Sequence, residues 1–334
     1  MIRHPICQLT ANDQPLNALI TSRIINVTVT DNRASEADEL SITLDDHDGA
    51  LELPKRGVML TCHLGWSDGV HDMGSFKVDE TEWAGTPDTI TIKARAADFT
   101  SNLKTGKRKS YHRQTLGQIA GTIAKAHDLN LTISAELSDI DLIHVDQTDE
   151  SDLNLLSRLA QQNGAAVTIK KGKLLIFKAG QAKTASGKTL PKIIVTRQDG
   201  DQFRYSEADR DSNYTGVSAS WHEQGKAKRK RTTAGNPEVK GGGDDPKTKV
   251  LKGTFANEAE AQRAASAELD RIKQQKATFN LTLAEGKPDI SSEHPVALLG
   301  FKPAIDALNW IVAKATHSYS TSGLTTALEL EANV

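Results

Sequence analysis

Aromatic side chains are scarce in this chain, with 7 Phe, 4 Tyr and 4 Trp among 334 residues. Few rings are therefore on hand to stack on nucleic-acid bases. Only two cysteines occur, Cys7 and Cys62. That is too few for a disulfide framework or a four-ligand zinc site, and it fits a protein folded in a reducing cytoplasm. Neither sign of charge dominates: 41 Lys and Arg stand against 43 Asp and Glu, a formal net charge of −2. A protein that coats DNA is usually basic overall. No apolar run approaches the ~18 to 20 residues of a membrane span, so stable membrane association is not expected. The opening Met-Ile-Arg-His-Pro carries no apolar stretch behind it, and no secretory signal is expected there.

What is present is alternation. Ile25, Val27 and Val29 share a period of two, as do Leu40, Ile42 and Leu44, then Val58, Leu60, Cys62 and Leu64, then Ile90, Ile92, Ala94 and Ala96. Such spacing puts one face of a strand on a core and turns the other to water or a polar partner. Turn residues at Asp48-Gly49, Asp68-Gly69 and around Pro87 separate the runs. Residues 1–105 are expected to form an antiparallel sandwich or barrel.

After a basic segment, Lys104 to Arg113, expected as a loop, the period changes. Thr115 and Gln118 make a candidate capping box ahead of Leu116, Ile119, Ala120, Ile123 and Ala124. A second helix is expected from about Glu150 to Gln162, stopped at Asn163-Gly164. A hairpin through Ile169 and Leu174 follows, so residues 106–180 read as a small α/β unit. Residues 181–191 look like a linker, and 181–334 return to strands with one helix, capped by Asn257 and Glu260. Within this last region, residues 222–253 lose periodicity and are expected to be a long mobile loop. The two β units share no convincing sequence period.

Catalytic signatures are missing. No GxGxxG follows a strand, and no GxxxxGK[ST] loop occurs. Gly216-Val-Ser-Ala-Ser220 lacks the last glycine of a serine elbow. His112, His127 and His144 fall in the middle unit without metal-ligand spacing. Asp45-Asp46 and Glu80/Glu82 are the nearest candidate carboxylate pairs for glycoside hydrolysis. No catalytic, metal or cofactor site is expected. The one concentrated chemical feature is basic: Lys226, Lys228, Arg229, Lys230 and Arg231. It reads as a solvated loop, an electrostatic contact to an acidic partner, or a phosphate-binding run.

The stretch from Gln147 through Glu150-Ser-Asp152 and Arg158 to Gly164, followed by a hairpin ending Gly172-Lys-Leu-Leu-Ile-Phe177, resembles the phage late control protein D family. These are baseplate hub proteins of contractile tails. A similar Glu-Ser-Asp-Leu stretch occurs in the hub portion of type VI secretion spike proteins; Leu155 here replaces an aromatic residue. Gly74 to Asp79, Thr89 to Asp98, Thr115-Leu-Gly117 and Trp310 before a last hairpin also fit, in order, over essentially the whole length.

The resemblance implies two tail-tube-type β-barrels joined by smaller domains, a β-rich α+β hub fold. It further implies a homotrimeric structural adaptor between a sixfold tail tube and a threefold spike. Expected partners are copies of itself, a separate trimeric tail spike protein, the tail tube protein, the tape measure protein and other baseplate proteins, with DNA only in transit through the lumen. The expected place is the virion tail baseplate, assembled in the bacterial host cytoplasm, of a phage or a phage-derived bacteriocin tail. A peptidoglycan hydrolase at the tail tip and a nucleic-acid-binding regulator acting through 226–231 are the competing readings.

Overall fold

A computed structural model of the chain describes residues 3–33, 36–96, 103, 105–207, 214–223, 228–236, 247–274 and 277–333. The alternating runs of the first hundred residues become β1 (Pro5–Ala11), β2 (Gln14–Pro15), β3 (Ile24–Asn32), β4 (Glu39–Asp45), β5 (Met59–Trp66), β6 (Gly69–Ala84) and β7 (Thr89–Ala96), with a short helix α1 (Ala18–Ser22). The inward residues form one core containing Val27, Leu40, Ile42, Leu64, Phe76 and Ile90. Leu9 of β1 packs in the same core as Val27 and Val29 of β3, although β1 and β3 lie far apart on the hydrogen-bonded path β1-β5-β6-β7-β4-β3. The sheet must curl to bring them together. One expected inward residue is wrong: a register shift between Ile24 and Asn26 turns Ile25 outward, and Ile24 packs on the core in its place.

The middle unit comprises β8 (Gly106–Thr115), α2 (Leu116–Ala126), β9 (Asn130–Ile133), α3 (Ala135–Ser138), β10 (Asp141–Ser151), α4 (Asp152–Gln162), β11 (Ala165–Lys170) and β12 (Lys173–Lys178). The capping box forms as the sequence suggests, with Thr115 Oγ1 accepting from Gln118 N–H at 3.2 Å and Gln118 Oε1 from Thr115 N–H at 2.9 Å. Leu116, Ile119 and Ile123 of α2 meet Leu153, Leu156 and Leu159 of α4 in a single core. The basic segment before α2 is not a loop. Gly106 to Thr115 pairs with β10 as a two-stranded ribbon. Only Tyr111 of β8 is buried there, so the strand carries almost no apolar alternation to read.

The remainder contains β13 (Ile193–Thr196), β14 (Gly200–Glu207), β15 (Tyr214–Glu223), β16 (Lys228–Gly235), β17 (Lys247–Val250), α5 (Glu258–Gln274), β18 (Ala277–Leu283), β19 (Pro295–Leu299), α6 (Pro303–Asp306), β20 (Trp310–Ser320) and β21 (Gly323–Ala332). The segment expected as a mobile loop holds two strands. Residues 228–235 pair antiparallel with β15, and 247–250 pair with its other edge. This three-stranded sheet covers α5 through Val217, Ala219, Ala234, Ala261, Ala265 and Leu269. Asn257 caps α5, its Oδ1 accepting from Glu260 N–H at 2.8 Å. Gly241 to Gly243 and Lys226 lie outside the described residues.

The other strands of this region follow the path β13-β19-β20-β21-β18-β14. With the two-residue β2, which only extends β1, set aside, the six strands of each β unit taken in chain order are arranged identically: first, fourth, fifth, sixth, third, second. The end strands β13 and β14 are separated only by residues 197–199, so this sheet also curls round its core of Phe279, Leu281, Val296, Trp310 and Leu330. The one directional difference is that β13 runs parallel to β19 whereas β1 runs antiparallel to β5.

The two sheets are one continuous sheet. The first residues of β20 pair with β19, and the rest, Lys314 to Ser320, pair with β3 of the first unit. Leu324, just past the turn of the β20–β21 hairpin, is buried in the first unit's core, while Trp310 and Ala332 at its base belong to the second. Leu324→Ala is therefore expected to cost about 2–5 kcal/mol and to lower a single shared thermal transition. Calorimetry that showed two transitions, with only one of them lowered, would contradict this coupling.

Candidate functional site

The basic run is a hairpin arm. Lys228, Arg229, Lys230 and Arg231 are exposed on β16, which among the described residues is bonded only to β15 and so forms an edge of its sheet. Opposite them stand Glu223, His222, Trp221 and Ser220. Lys230 lies across Trp221, 5.4 Å from the ring centroid, and its Nζ is 3.0 Å from Glu223. Consecutive residues of a strand point to opposite faces, so the four cations arm both sides of the ribbon. They form a positive rail along an open strand edge. A partner with acidic side chains and a free edge of its own fits such a rail.

A second cluster, which the sequence did not signal, lies where three parts of the chain meet. Lys170 at the end of β11 places its Nζ 2.7 Å from Asp31 of β3 and 3.2 Å from Asp38. Asp31 also accepts the Ser292 N–H at 3.0 Å. Beside it, Arg33 pairs with Glu293 and, at 2.9 Å, with Glu331 of β21. Glu293 in turn accepts the Gly180 N–H at 3.0 Å. First unit, middle unit and second unit are thus tied by one largely buried charge network, bordering a cleft of about 640 Å³.

Burial pushes the Asp31 carboxyl up, but the Lys170 ammonium and the Ser292 contacts more than offset it, leaving Asp31 below its ordinary value. For Asp38, burial and then the Asp31 charge win over Lys170 and raise it to about 6. Desolvation works against the Lys170 charge, yet the two carboxylates hold its pKa above the ordinary value. No local pattern could announce this cluster, because its members come from 31 to 331 along the chain.

The Gln147 to Arg158 stretch proves structural. Ser151 caps α4, its hydroxyl accepting from Asn154 N–H at 3.2 Å. Asp152 is buried and lies 2.5 Å from Lys107 Nζ, 2.8 Å from Gln147 Nε2 and 2.7 Å from His127 Nε2. Burial raises its carboxyl, and those three partners bring it below the usual range. Glu150 receives Arg158 in a two-pronged contact at 3.0 and 2.7 Å. The motif locks α4 to the β8–β10 ribbon.

The catalytic and metal candidates are not assembled. Asp45 faces His47, while buried Asp46 accepts the Leu51 N–H at 3.0 Å. Glu80 pairs with Lys93 at 2.9 Å, and Glu82 sits two residues along the same strand, not across a cleft. His112 and His144 stack at 4.6 Å, whereas His127 is held by Asp152. Among the described residues no group of three His, Cys, Asp or Glu side chains is placed to hold a metal. Both cysteines are free thiols.

A sequence model of the family described as "Phage tail baseplate hub (GPD)" matches residues 39–323. A protein of Escherichia phage 186 named "Probable baseplate hub protein" is 41% identical over 361 residues, covering 98% of this chain and 92% of the relative. Among solved structures, a 43 kDa tail protein of prophage MuSo2 from Shewanella oneidensis superposes with a TM-score of 0.71 at 17% identity, covering 97% of each chain. A component of the E. coli type VI secretion system does so with a TM-score of 0.57 at 11% identity, covering 96% of this chain and 76% of that one. At such identities the last two likenesses speak for the fold.

The Asp38 shift fixes a pH signature. A carboxyl raised in the folded state holds a proton that the unfolded chain has released, so its contribution is full below pH ~4 and is lost as pH rises through about 6. Asp38→Asn mimics the protonated form, so its melting temperature relative to the parent should rise between pH 5 and pH 7.5. Asp31→Asn should instead cost about 3–5 kcal/mol at neutral pH, because it strips a buried ammonium of its main partner. Equal and pH-independent losses for the two variants would refute this division of roles.

Proposed function

The chain belongs to the phage tail baseplate hub family, and we propose that it works as a homotrimeric adaptor between a sixfold tail tube and a threefold spike. It is a structural baseplate hub protein of a phage tail. The observation that carries the finer reading is the pair of six-stranded units with one strand order, joined edge to edge through β3 and β20. Three copies of a chain with two such units offer six, which meets a sixfold tube while the chain itself repeats three times. Each unit then acts as a tail-tube-type barrel, and the middle unit with the β15–β17 sheet braces them.

The partners in this reading are a trimeric spike, the tube protein, the tape measure protein and neighbouring baseplate proteins, with DNA only passing through the lumen. Assembly takes place in the host cytoplasm before the hub enters the virion baseplate. The protein works by holding parts together rather than by turnover. In support, each carboxylate of the hydrolase candidates that has a partner is committed to a structural one. The Lys228 to Arg231 rail serves as the arm that meets an acidic baseplate neighbour.

Native mass spectrometry of hub complexes drawn from cells making the particle should give three copies with spike or tube subunits. A monomer bound to nucleic acid would overturn the adaptor. Reversing charge at Lys228, Arg229 and Arg231 to Glu should leave the purified chain's melting temperature within about 1 °C, since exposed charges contribute little to stability. Incorporation into baseplates should fall at least tenfold. Normal incorporation would remove the rail from the assembly.

A further inference from the structure

The ten histidines are scattered along the chain, yet strand pairing brings two of them face to face. His112 of β8 stands directly opposite His144 of β10 in the two-stranded ribbon of the middle unit. Directly opposed residues of an antiparallel pair hold their Cβ atoms about 4.5–5.5 Å apart. Imidazoles at such positions can reach each other, and here the two Nδ1 atoms are 2.9 Å apart. The ring centres are 4.6 Å apart, with the planes inclined by 29°. Each ring thus presents its Nδ1 edge to the other. Both residues are exposed, on the opposite side of the ribbon from buried Tyr111 and Val145.

The far side of the His144 ring is fixed. Its Nε2 lies 2.8 Å from one carboxylate oxygen of Asp146, and the other oxygen accepts the Ser110 hydroxyl at 2.6 Å. A carboxylate only accepts, so Nε2 carries a proton and Nδ1 of the neutral ring keeps its lone pair. His112 then donates from its own Nδ1 across the gap. A carboxylate behind an imidazole, with the lone pair in front, is how proteins orient a metal-ligating histidine. The cations of the same strand are drawn aside. Arg108 is gripped by Asp149 through two contacts of 2.8 Å, and Lys109 lies over the Tyr111 ring, 4.7 Å from its centroid.

The spacing selects the ion. Imidazole nitrogens bind divalent transition metals at about 2.0–2.1 Å, and two such bonds meeting at a right angle span about 2.9 Å. A tetrahedral ion would spread the same nitrogens to about 3.3 Å. Right angles are the preference of Cu²⁺ and Ni²⁺, whereas Mg²⁺ and Ca²⁺ seek oxygen. We propose that His112 and His144 chelate one divalent transition-metal ion of the copper and nickel class through their Nδ1 atoms, with Asp146 orienting His144 and water in the remaining positions. This chelate goes beyond the hub reading and does not depend on it. His127, the third histidine of the middle unit, is held by Asp152 and supplies no ligand.

Entry of the ion involves no redox change. His112 gives its Nδ1 proton to solvent and takes one up at Nε2, so the ring stays neutral. Each ring turns about its broad χ2 well to aim its lone pair at a common point. The ion then staples β8 to β10, the ribbon to which the Lys107–Asp152 contact anchors α4.

Isothermal titration of the untagged full chain with Ni²⁺ should show a saturable site at one ion per chain, and Mg²⁺ should give none. His112→Gln and His144→Gln, both at exposed positions, should each abolish that site and leave the metal-free melting curve in place. Asp146→Ala should weaken binding about 10- to 100-fold, although it removes no ligand. On the parent chain, electron paramagnetic resonance of bound Cu²⁺ should count two imidazole nitrogens per ion. Absence of saturable Ni²⁺ binding, its survival in His144→Gln, or a copper spectrum with a single nitrogen would overturn the chelate.

Discussion

The architecture turns on the ladder between β3 and β20. A curled six-stranded sheet leaves edges, and an unpaired edge invites uncontrolled pairing. Here the hairpin β20–β21 outgrows the unit that contains its base, so its far half completes the sheet of the other unit and sends Leu324 into that unit's core. Neither core is whole without the hairpin. Two sheets that could have been independent beads become one surface.

Backbone pairing alone permits a hinge, and the charge network at Lys170 restrains it. The middle unit contributes the cation, the first unit Asp31 and Asp38, and the second Ser292, Glu293 and Glu331. Buried ion networks are poor sources of net stability but are strict about geometry, since a displaced partner leaves a charge uncompensated in low dielectric. Asp38 shows the strain in charge balance. Two carboxylates around one ammonium leave an excess negative charge, and burial resolves it by raising Asp38. The network is better understood as an angle setter than as glue.

Much of the fold could be read from the sequence where one strand face meets a core. Leu40, Ile42 and Leu44, or Leu60, Cys62 and Leu64, alternate because their other faces are wet. Capping pairs were legible for a related reason, since Thr115 with Gln118 and Asn257 with Glu260 satisfy donors within four residues. Edge strands were not. β8, β14 and β16 expose nearly every side chain, so their pairing leaves no period of two, and the basic residues of β8 and β16 suggested loops. The shared strand order was equally hidden, because Phe76 and Trp310, each two residues before a register shift, or Gly57 and Glu293, each at positive φ, match in backbone role and not in residue type. The Asp31–Lys170 contact spans 139 residues, beyond any local pattern. Function was recognisable through the resemblance around Gln147 to Gly164, whose physical content turned out to be the anchoring of α4 through Asp152.

Carrying both units on one polypeptide changes the kinetics of building anything larger. The β3–β20 contact forms within a chain, where the tether keeps the two edges at a high effective concentration whatever the amount of protein in the cell. In any closed assembly of this chain, every second contact between units is complete as soon as the monomer has folded. Only the remaining contacts must be found by diffusion, so the collision order of assembly is halved relative to a protein that supplies one unit per chain. A scarce component made in few copies per particle gains most from that economy.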